Sequence, residues 1–216
     1  MRIADRNRDW SDSLTLYEKT VTTAPQCARA HSNLGEAYAS RGRIDEAISQ
    51  CRQALAIKPR YAEARYNLGF AYYKKGMLDE AIVEYKEALS AEPRYPRALN
   101  NLGSVYLEKG ETHQAIFYFM KAVQFKSVKP EVLIGLSVAL SRLGMQDKAI
   151  DRAQSALALK PGLAVAHNNL AYFYYVKKDY AQAIAHCDKA VRGGYPVPEQ
   201  LLKWLEPYRT GAIRSH

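Results

Sequence analysis

Two pairs of chemically reactive side chains recur at one spacing in the sequence. His31 stands before Cys51, and His167 stands at the same distance before Cys187. A histidine can activate a cysteine thiol as a nucleophile, and both residue types bind Zn²⁺. The spacing therefore raises two hypotheses, a Cys–His dyad and a metal site.

Neither hypothesis gains further support from the sequence. No third ligand recurs at a matching position, and the motifs of phosphate loops, zinc proteases, serine hydrolases and CxxC redox sites are absent. Positions equivalent to the cysteines hold Tyr85 and Phe119, so we interpret the four residues as core side chains between helices. His186 is expected to project elsewhere than Cys187, because adjacent helical residues do not share a face. We predict no enzyme activity, no catalytic residue, no metal and no cofactor.

The elements that position these residues repeat every 34 residues. Each repeat has leucine at its seventh position, a small residue at its eighth and alanine followed by isoleucine at its twentieth. Glycine at position fifteen and proline at position thirty-two, each present in most repeats, are typical of helix ends. Each repeat is thus predicted to be a hairpin of two helices, and only stacked hairpins bury both apolar faces. The repeats begin at residues 28, 62, 96, 130 and 164.

These positions resemble the tetratricopeptide repeat (TPR) family over roughly residues 7–208. The resemblance implies an all-α fold, a right-handed TPR superhelix (α-solenoid) of stacked helical hairpins. We predict an incomplete repeat over 1–27, containing its second helix only, and five TPR units over 28–197. A C-terminal capping helix is predicted over 198–208, with Leu201, Trp204, Leu205 and Tyr208 on its inner apolar face, and a tail over 209–216. The fourth repeat lacks the tyrosines of the family, which we interpret as weaker packing.

A row of asparagines is the main predicted binding feature. In the TPR family the first helix of each repeat lines the concave side, and position six here is asparagine in every repeat but the fourth, which has Gly135. An amide both donates and accepts hydrogen bonds, so the row would hold an extended peptide backbone. It resembles the asparagine ladder of O-linked N-acetylglucosamine transferase repeats. The alternative is that asparagine is simply common at this position. The row consists of Asn33, Asn67, Asn101 and Asn169.

Aromatic and cationic residues flank the asparagine row. Such residues anchor many interfaces, although tyrosine at helical spacing also packs in cores. The predicted function is a non-catalytic protein–protein interaction scaffold that binds an extended peptide segment in the concave groove. Further residues at concave positions are Ser104, Asn168 and Tyr175. The predicted peptide-binding residues beside the row are Tyr66, Phe70, Tyr73, Arg97, Asn100 and Tyr172.

The charge balance does not indicate a nucleic-acid partner. The chain has 31 Lys and Arg against 22 Asp and Glu, a net charge of +9. Many of the cations lie at predicted helix ends, where they complement the helix dipole, and they do not alternate with aromatic residues along the groove. We therefore expect a protein or peptide partner and no nucleic acid. Capture of an acidic chaperone terminus by a carboxylate clamp is disfavoured, because only Asn67 and Arg97 match that pattern.

The N-terminal sequence raises two further hypotheses. The sequence has no apolar run long enough to span a bilayer and no secretion signal, so we expect no direct membrane insertion and a cytoplasmic location for a complete chain. A resemblance to the region after the last membrane span of O-mannosyltransferase-like glycosyltransferases instead implies a substrate-presenting or regulatory segment, tethered and extracytoplasmic. Alternatively, residues 9–24 enter the groove of a second copy and form a homo-oligomer. The residues that resemble the glycosyltransferases are Arg6, Asn7, Trp10, Leu14, Leu16 and Pro25.

Overall fold

A computed structural model describes residues 14–126 and 128–210 of the chain. Within these ranges the regular elements are α-helices and no strand occurs. No helix in the same ranges combines the length and apolar character that a membrane span requires. The helical residues 14–23 are called α1. The later helices are α2 (Ala28–Ser40), α3 (Ile44–Ile57), α4 (Ala62–Lys74), α5 (Leu78–Ala91), α6 (Pro96–Glu108), α7 (Thr112–Val123), α8 (Pro130–Arg142), α9 (Gln146–Leu159), α10 (Ala164–Val176), α11 (Tyr180–Arg192) and α12 (Glu199–Arg209).

The chain divides into two compact halves, Met1–Lys109 and Gly110–His216. In the N-terminal half, α2 pairs with α3 and α4 with α5, and α6 packs against α5. In the C-terminal half, α7 packs against α8, α8 pairs with α9 and α10 with α11, and α12 packs against α11. The helices α2, α4, α6, α8 and α10 begin at the first residue of each predicted repeat. We call them first helices.

The turn after each first helix contains a residue with positive φ. In the fifth repeat this residue is Lys178, with φ of 64°, and Asp179 caps the next helix by accepting a hydrogen bond of 3.1 Å from the backbone N–H of Gln182. Glycine adopts positive φ without the steric cost that a Cβ atom brings. Four earlier turns use it, with φ between 74° and 80°, at Gly42, Gly76, Gly110 and Gly144.

Position twenty-four of a repeat packs against small residues of first helices. Tyr85 and Phe119 occupy this position and are fully buried. A Cβ atom on Gly69 would lie 2.9 Å from Cδ1 of Tyr85, and one on Gly135 would lie 2.5 Å from Cζ of Phe119. Neither glycine could carry a side chain without displacing an aromatic ring. The close packing of Phe119 thus explains why residue 135, which interrupts the asparagine row, is glycine.

Exposed lysines join consecutive repeats at a regular spacing. Their ammonium groups contact an aspartate 30 residues earlier, in the second helix of the preceding repeat. The sequence pattern indicated only that these lysines complement a helix dipole, and the structure adds a specific partner for each. Because the aspartates are about four-fifths exposed, solvent screens the pairs strongly. The pairs are Lys75–Asp45 at 2.7 Å, Lys109–Asp79 at 2.6 Å and Lys177–Asp147.

The histidines bridge neighbouring elements instead of activating cysteines. His31 hydrogen-bonds through Nδ1 to Oε1 of Gln50, at 2.7 Å, and through Nε2 to the carbonyl oxygen of Pro25, at 3.0 Å. Arg65 makes the equivalent contacts with Glu84, at 2.8 Å, and with the preceding proline carbonyl. The side chain at position four of these repeats therefore joins the preceding turn to the side chain at position twenty-three. This role is structural.

The second histidine makes the same kind of bridge, which the sequence pattern did not predict. Nδ1 of His167 lies 2.9 Å from Nδ1 of His186, which is half-buried, whereas the adjacent Cys187 is fully buried. Cys51 and Cys187 are fully buried, which confirms their interpretation as core residues. Burial raises the pKa of the Cys51 thiol to about 12, so it is not a thiolate nucleophile at neutral pH. No group of three metal-binding side chains occurs among the residues described.

Candidate peptide-binding face

Asn67 in α4 uses its amide to connect two first helices. The side chain is 4% exposed, and its Nδ2 donates to Oγ of Ser32, at 3.1 Å, and to the Ser32 carbonyl, at 3.3 Å. Ser32 lies in α2 and is fully buried. A buried amide requires such partners. The structure thus differs from the expectation that Asn67 offers its donor to a peptide, because that donor is used within the fold.

Asn101 in α6 also makes contacts within the fold. Its Nδ2 donates to the hydroxyl oxygens of Tyr66, at 3.0 Å, and Tyr85, at 3.3 Å, and its Oδ1 accepts from Asn100, at 3.3 Å. Position six of a repeat therefore contacts position twenty-four of the preceding repeat, where Tyr85 stands. This contact supplies the buried Tyr85 hydroxyl with the partner that it needs.

The other two asparagines of the row keep their amides unpaired. Asn33 in α2 and Asn169 in α10 are half-buried, and within the described residues their side chains make no hydrogen bond. The predicted row thus contains two kinds of residue. Asn67 and Asn101 hold repeats together, whereas Asn33 and Asn169 retain the capacity to bind a peptide group.

Arg97 covers the aromatic residue that was predicted to contact a peptide. Its guanidinium lies 4.6 Å from the centre of the Tyr66 ring, and Tyr66 is only 6% exposed. Nη2 of Arg97 also donates to Oε1 of Glu36 at 3.3 Å, so the contact extends from α6 to α2. About half of each charged side chain is exposed. The accessible groups here are therefore Arg97 and Glu36 rather than Tyr66.

Phe70 and Tyr73 of α4 are both half-buried. The ammonium group of Lys74 lies 5.5 Å from the centre of the Phe70 ring, a distance at which cations and aromatic rings attract each other. Burial and, secondarily, a hydrogen bond to Glu108 raise the pKa of the Tyr73 hydroxyl. Phe70 therefore offers an aromatic edge on this helix, whereas the Tyr73 hydroxyl already has a partner.

A cavity of about 400 Å³ lies in the C-terminal half, between the first helices α8 and α10 and the final helix α12. We call it the α12 cavity. Two predicted site residues, Asn169 and Tyr172, come together in its wall, and Tyr172 is 42% exposed. The wall also includes Val138, Asn168, Phe173, Leu201 and Trp204.

Asn168 is the most unusual residue of this cavity. It is 9% exposed, and its Oδ1 is buried without a hydrogen-bond partner. The side chain forms no hydrogen bond with any described residue. An unpaired buried polar group costs about 1–3 kcal/mol of stability, and such groups are uncommon. Asn168 thus has unmet hydrogen-bonding capacity at the wall of a cavity.

Trp204 forms the opposite wall and is held in place by other aromatic residues. Its ring stacks on Tyr175, with centroids 5.3 Å apart and planes inclined by 10°, and Tyr175 makes an edge contact with Tyr180. Leu201 and Leu205 anchor α12 in an apolar cluster with Ala171, Ala183 and Cys187. The sequence pattern indicated a capping helix with Trp204 on its inner side. It gave no sign that Trp204 would face a cavity beside Asn168.

The paired helices, the positive φ turns and the contacts between repeats define an α-helical repeat protein. Family models of the tetratricopeptide repeat match residues 35–76, 71–110, 96–128 and 135–196. The chain belongs to the tetratricopeptide repeat family, whose repeats mediate interactions with proteins or peptides. No curated protein sequence matches the chain.

Three solved structures with similar folds are PilF, YrrB and MamA. PilF of Pseudomonas aeruginosa is 25% identical, with a TM-score of 0.74 over 86% of this chain and 87% of its own. YrrB, a TPR protein with an unusual peptide-binding site, is 23% identical, with a TM-score of 0.70 over 89% and 97%. MamA from MSR-1 is 27% identical, with a TM-score of 0.65 over 77% and 96%. These likenesses show the TPR α-solenoid fold.

Proposed function

We propose that the chain is a non-catalytic interaction scaffold that binds an extended peptide segment along the faces of its first helices. The main support for this proposal is that Asn169 and Tyr172, two residues at predicted groove positions, line one open cavity. The Asn169 amide has no partner among the described residues, and Tyr172 is 42% exposed. A peptide supplies both the polar backbone and the apolar side chains that such a pair can bind.

The remaining predicted residues divide into contact and support roles within this proposal. Asn33, Phe70 and Arg97 contact the peptide, because each keeps an accessible polar group or ring edge. Asn67, Asn100, Asn101, Tyr66 and Tyr73 shape the face by bonding to one another or to nearby residues. The row would thus resemble the ladder of O-linked N-acetylglucosamine transferase repeats at Asn33 and Asn169 only.

Selection of peptides on the purified full chain tests this function. Peptides enriched from a random displayed library are expected to bind the chain, as measured by fluorescence polarisation. A combined variant with alanine at Phe70, Arg97, Asn169 and Tyr172 should weaken binding by about tenfold or more, because several contacts are removed together. Val191→Ala, an exposed change on α11, is the matched control. Failure to enrich any peptide, or unchanged affinity of the combined variant, would contradict the proposal.

A second candidate function rests on the N-terminal resemblance to membrane glycosyltransferases. In that role the repeats present or regulate polypeptide substrates of the membrane enzyme. Arg6, Asn7 and Trp10 lie outside the described residues, whereas Leu14 belongs to α1. Sequencing upstream of the Met1 codon is the direct test. A series of apolar spans in the same reading frame would support this role, and an in-frame stop codon would contradict it.

Self-assembly through the N-terminal helix is the third candidate. Leu16 on α1 is 61% exposed, an apolar side chain that a second copy could cover. Light scattering over a concentration series should show a dimer or larger species that Leu16→Asp converts to a monomer. A wild-type chain that stays monomeric throughout the series would remove this candidate.

A further inference from the structure

We propose that the α12 cavity is the anchor point of the bound peptide. It takes one bulky apolar side chain, and the Asn168 amide hydrogen-bonds the backbone peptide group next to that side chain. This inference rests on the proposed function and names the chemistry that the C-terminal half selects.

Asn168 supplies the polar contact of the proposed anchor point. The residue is more than nine-tenths buried, lines the cavity and makes no side-chain hydrogen bond within the described ranges. A half-turn of its amide exchanges the oxygen and nitrogen positions, so the same side chain can offer an acceptor or a donor to the cavity. A backbone peptide group carries the complementary N–H and C=O. An occupant that provides such a group gives the Asn168 amide a hydrogen-bond partner at the cavity wall.

The size and walls of the cavity suit an apolar side chain. Val138, Tyr172, Phe173, Leu201 and Trp204 supply the aliphatic and aromatic part of the wall, and Ser141, Arg142 and Gln200 add polar side chains to it. Its volume of about 400 Å³ is at the lower end of the roughly 300–1,000 Å³ found for ligand pockets. The space therefore suits one large side chain with its adjoining peptide group and excludes a folded element. Aromatic walls favour an aromatic or branched aliphatic residue.

The walls are fixed before any ligand binds, which favours a specific site. Trp204 stacks on Tyr175, and α12 is further held by an ion pair between Arg209 and Asp188 at 2.5 Å. Leu201 of the cavity wall is itself part of the buried cluster beneath α12. Little ordering is therefore needed on binding, which reduces its entropic cost.

Continuity with the proposed face indicates a peptide rather than a free small molecule. Asn168, Asn169 and Tyr172 follow one another at groove positions five, six and nine of the same helix. The unpaired Asn169 amide thus lines the cavity beside Asn168 on α10. A peptide carries successive backbone N–H and C=O groups, so it can bond both amides while one of its side chains fills the cavity.

The test uses tryptophan emission of the full chain. The sequence has two tryptophans, so Trp10→Phe leaves Trp204 as the sole reporter. Peptides enriched from a random displayed library are expected to share one bulky apolar residue and to shift the Trp204 emission to shorter wavelength at saturation. In the same background, Asn168→Leu should weaken binding about tenfold without lowering the melting temperature, because it removes an unpaired amide. Leu202→Ala changes an exposed residue of the same helix outside the cavity and should leave the affinity unchanged.

Each alternative outcome is distinguishable. Peptides that bind without changing Trp204 emission, and with equal affinity to Asn168→Leu, would overturn the anchor proposal and leave the scaffold function standing. Failure to enrich any peptide would overturn both. Binding of N-acetylphenylalaninamide to the chain, again detected by Trp204 emission, without enrichment of any peptide would identify a small-ligand pocket and contradict the peptide anchor.

Discussion

Nδ2 of Asn67 lies 3.1 Å from Oγ of Ser32, although the two residues are 35 positions apart in sequence. Because both side chains are buried, this hydrogen bond joins the first helices of two repeats at a place that water does not reach. Asn67→Ala should therefore lower the free energy of unfolding by about 1–3 kcal/mol, since it leaves Ser32 without its partner. Urea unfolding followed by circular dichroism measures the change.

Asn168→Ala is the matched control for this prediction. It removes the same amide from an equally buried position, but that amide has no partner to lose. The free energy of unfolding should therefore fall less in Asn168→Ala than in Asn67→Ala. Equal losses in the two variants would show that the Asn67 hydrogen bond contributes little.

Gly135→Ala should destabilise the C-terminal half. The new methyl group would lie 2.5 Å from Cζ of Phe119, and this ring is fully buried. Overpacking of this kind costs about 1–3 kcal/mol. Gly162→Ala is the control, because a Cβ atom there meets nothing within 4 Å. Thermal unfolding should show a lower midpoint for Gly135→Ala only, and the second change Phe119→Leu should restore part of the loss.

Acid should weaken the fold through the pair His167 and His186. Burial, the neighbouring histidine and Lys189 lower the pKa of His186 to about 4, and burial and Lys189 also lower that of His167. Because the unfolded chain protonates near pH 6.5 and the folded chain does not, the associated stability is complete above pH 6.5. It is lost progressively as the pH falls towards 4.

His186→Phe isolates this effect from other titrating groups. Phenylalanine keeps an aromatic ring against Tyr174, on which His186 stacks with centroids 5.6 Å apart. The melting temperature of the variant should fall less than that of the wild type between pH 6.5 and pH 4. Parallel pH curves for the two proteins would contradict the role assigned to His186.

The ion pair between Arg97 and Glu36 should contribute little to stability. Nη2 of Arg97 lies 3.3 Å from Oε1 of Glu36, and about half of each side chain is exposed, so water and salt screen the attraction. A double-mutant cycle with Arg97→Ala and Glu36→Ala should give a coupling energy of about 0–1 kcal/mol that decreases in high salt. A larger, salt-independent coupling would mean that the pair is shielded from solvent and acts as a structural contact.

The helices could be predicted from the sequence because each repeat carries its own start and stop signals. Leu34, Ala47 and Gly42 lie at positions whose roles depend on one hairpin alone, and their equivalents recur in later repeats. The same local logic identified Tyr85 and Phe119 as core residues. Both are fully buried in the structure.

The contacts between repeats could not be predicted in the same way. Whether Asn101 reaches Tyr85, or Asn67 reaches Ser32, depends on the separation of stacked helices, which no single repeat encodes. The bridge between His167 and His186 was missed for this reason. Trp204 was assigned to the inner side of a cap, but its position beside Asn168 depends on where α12 docks.

The left-handed turn at Lys178 has a consequence for how the array varies. The equivalent turns of the four earlier repeats place glycine in this conformation, where a side chain is disfavoured by about 1–2 kcal/mol. The turn of the fifth hairpin therefore has a conformational free-energy cost that the turns of the other four hairpins avoid. Glycine, the residue found in those four turns, would remove this cost. A comparison of the repeats within this one chain thus identifies glycine at position 178 as a change that would stabilise the fifth repeat.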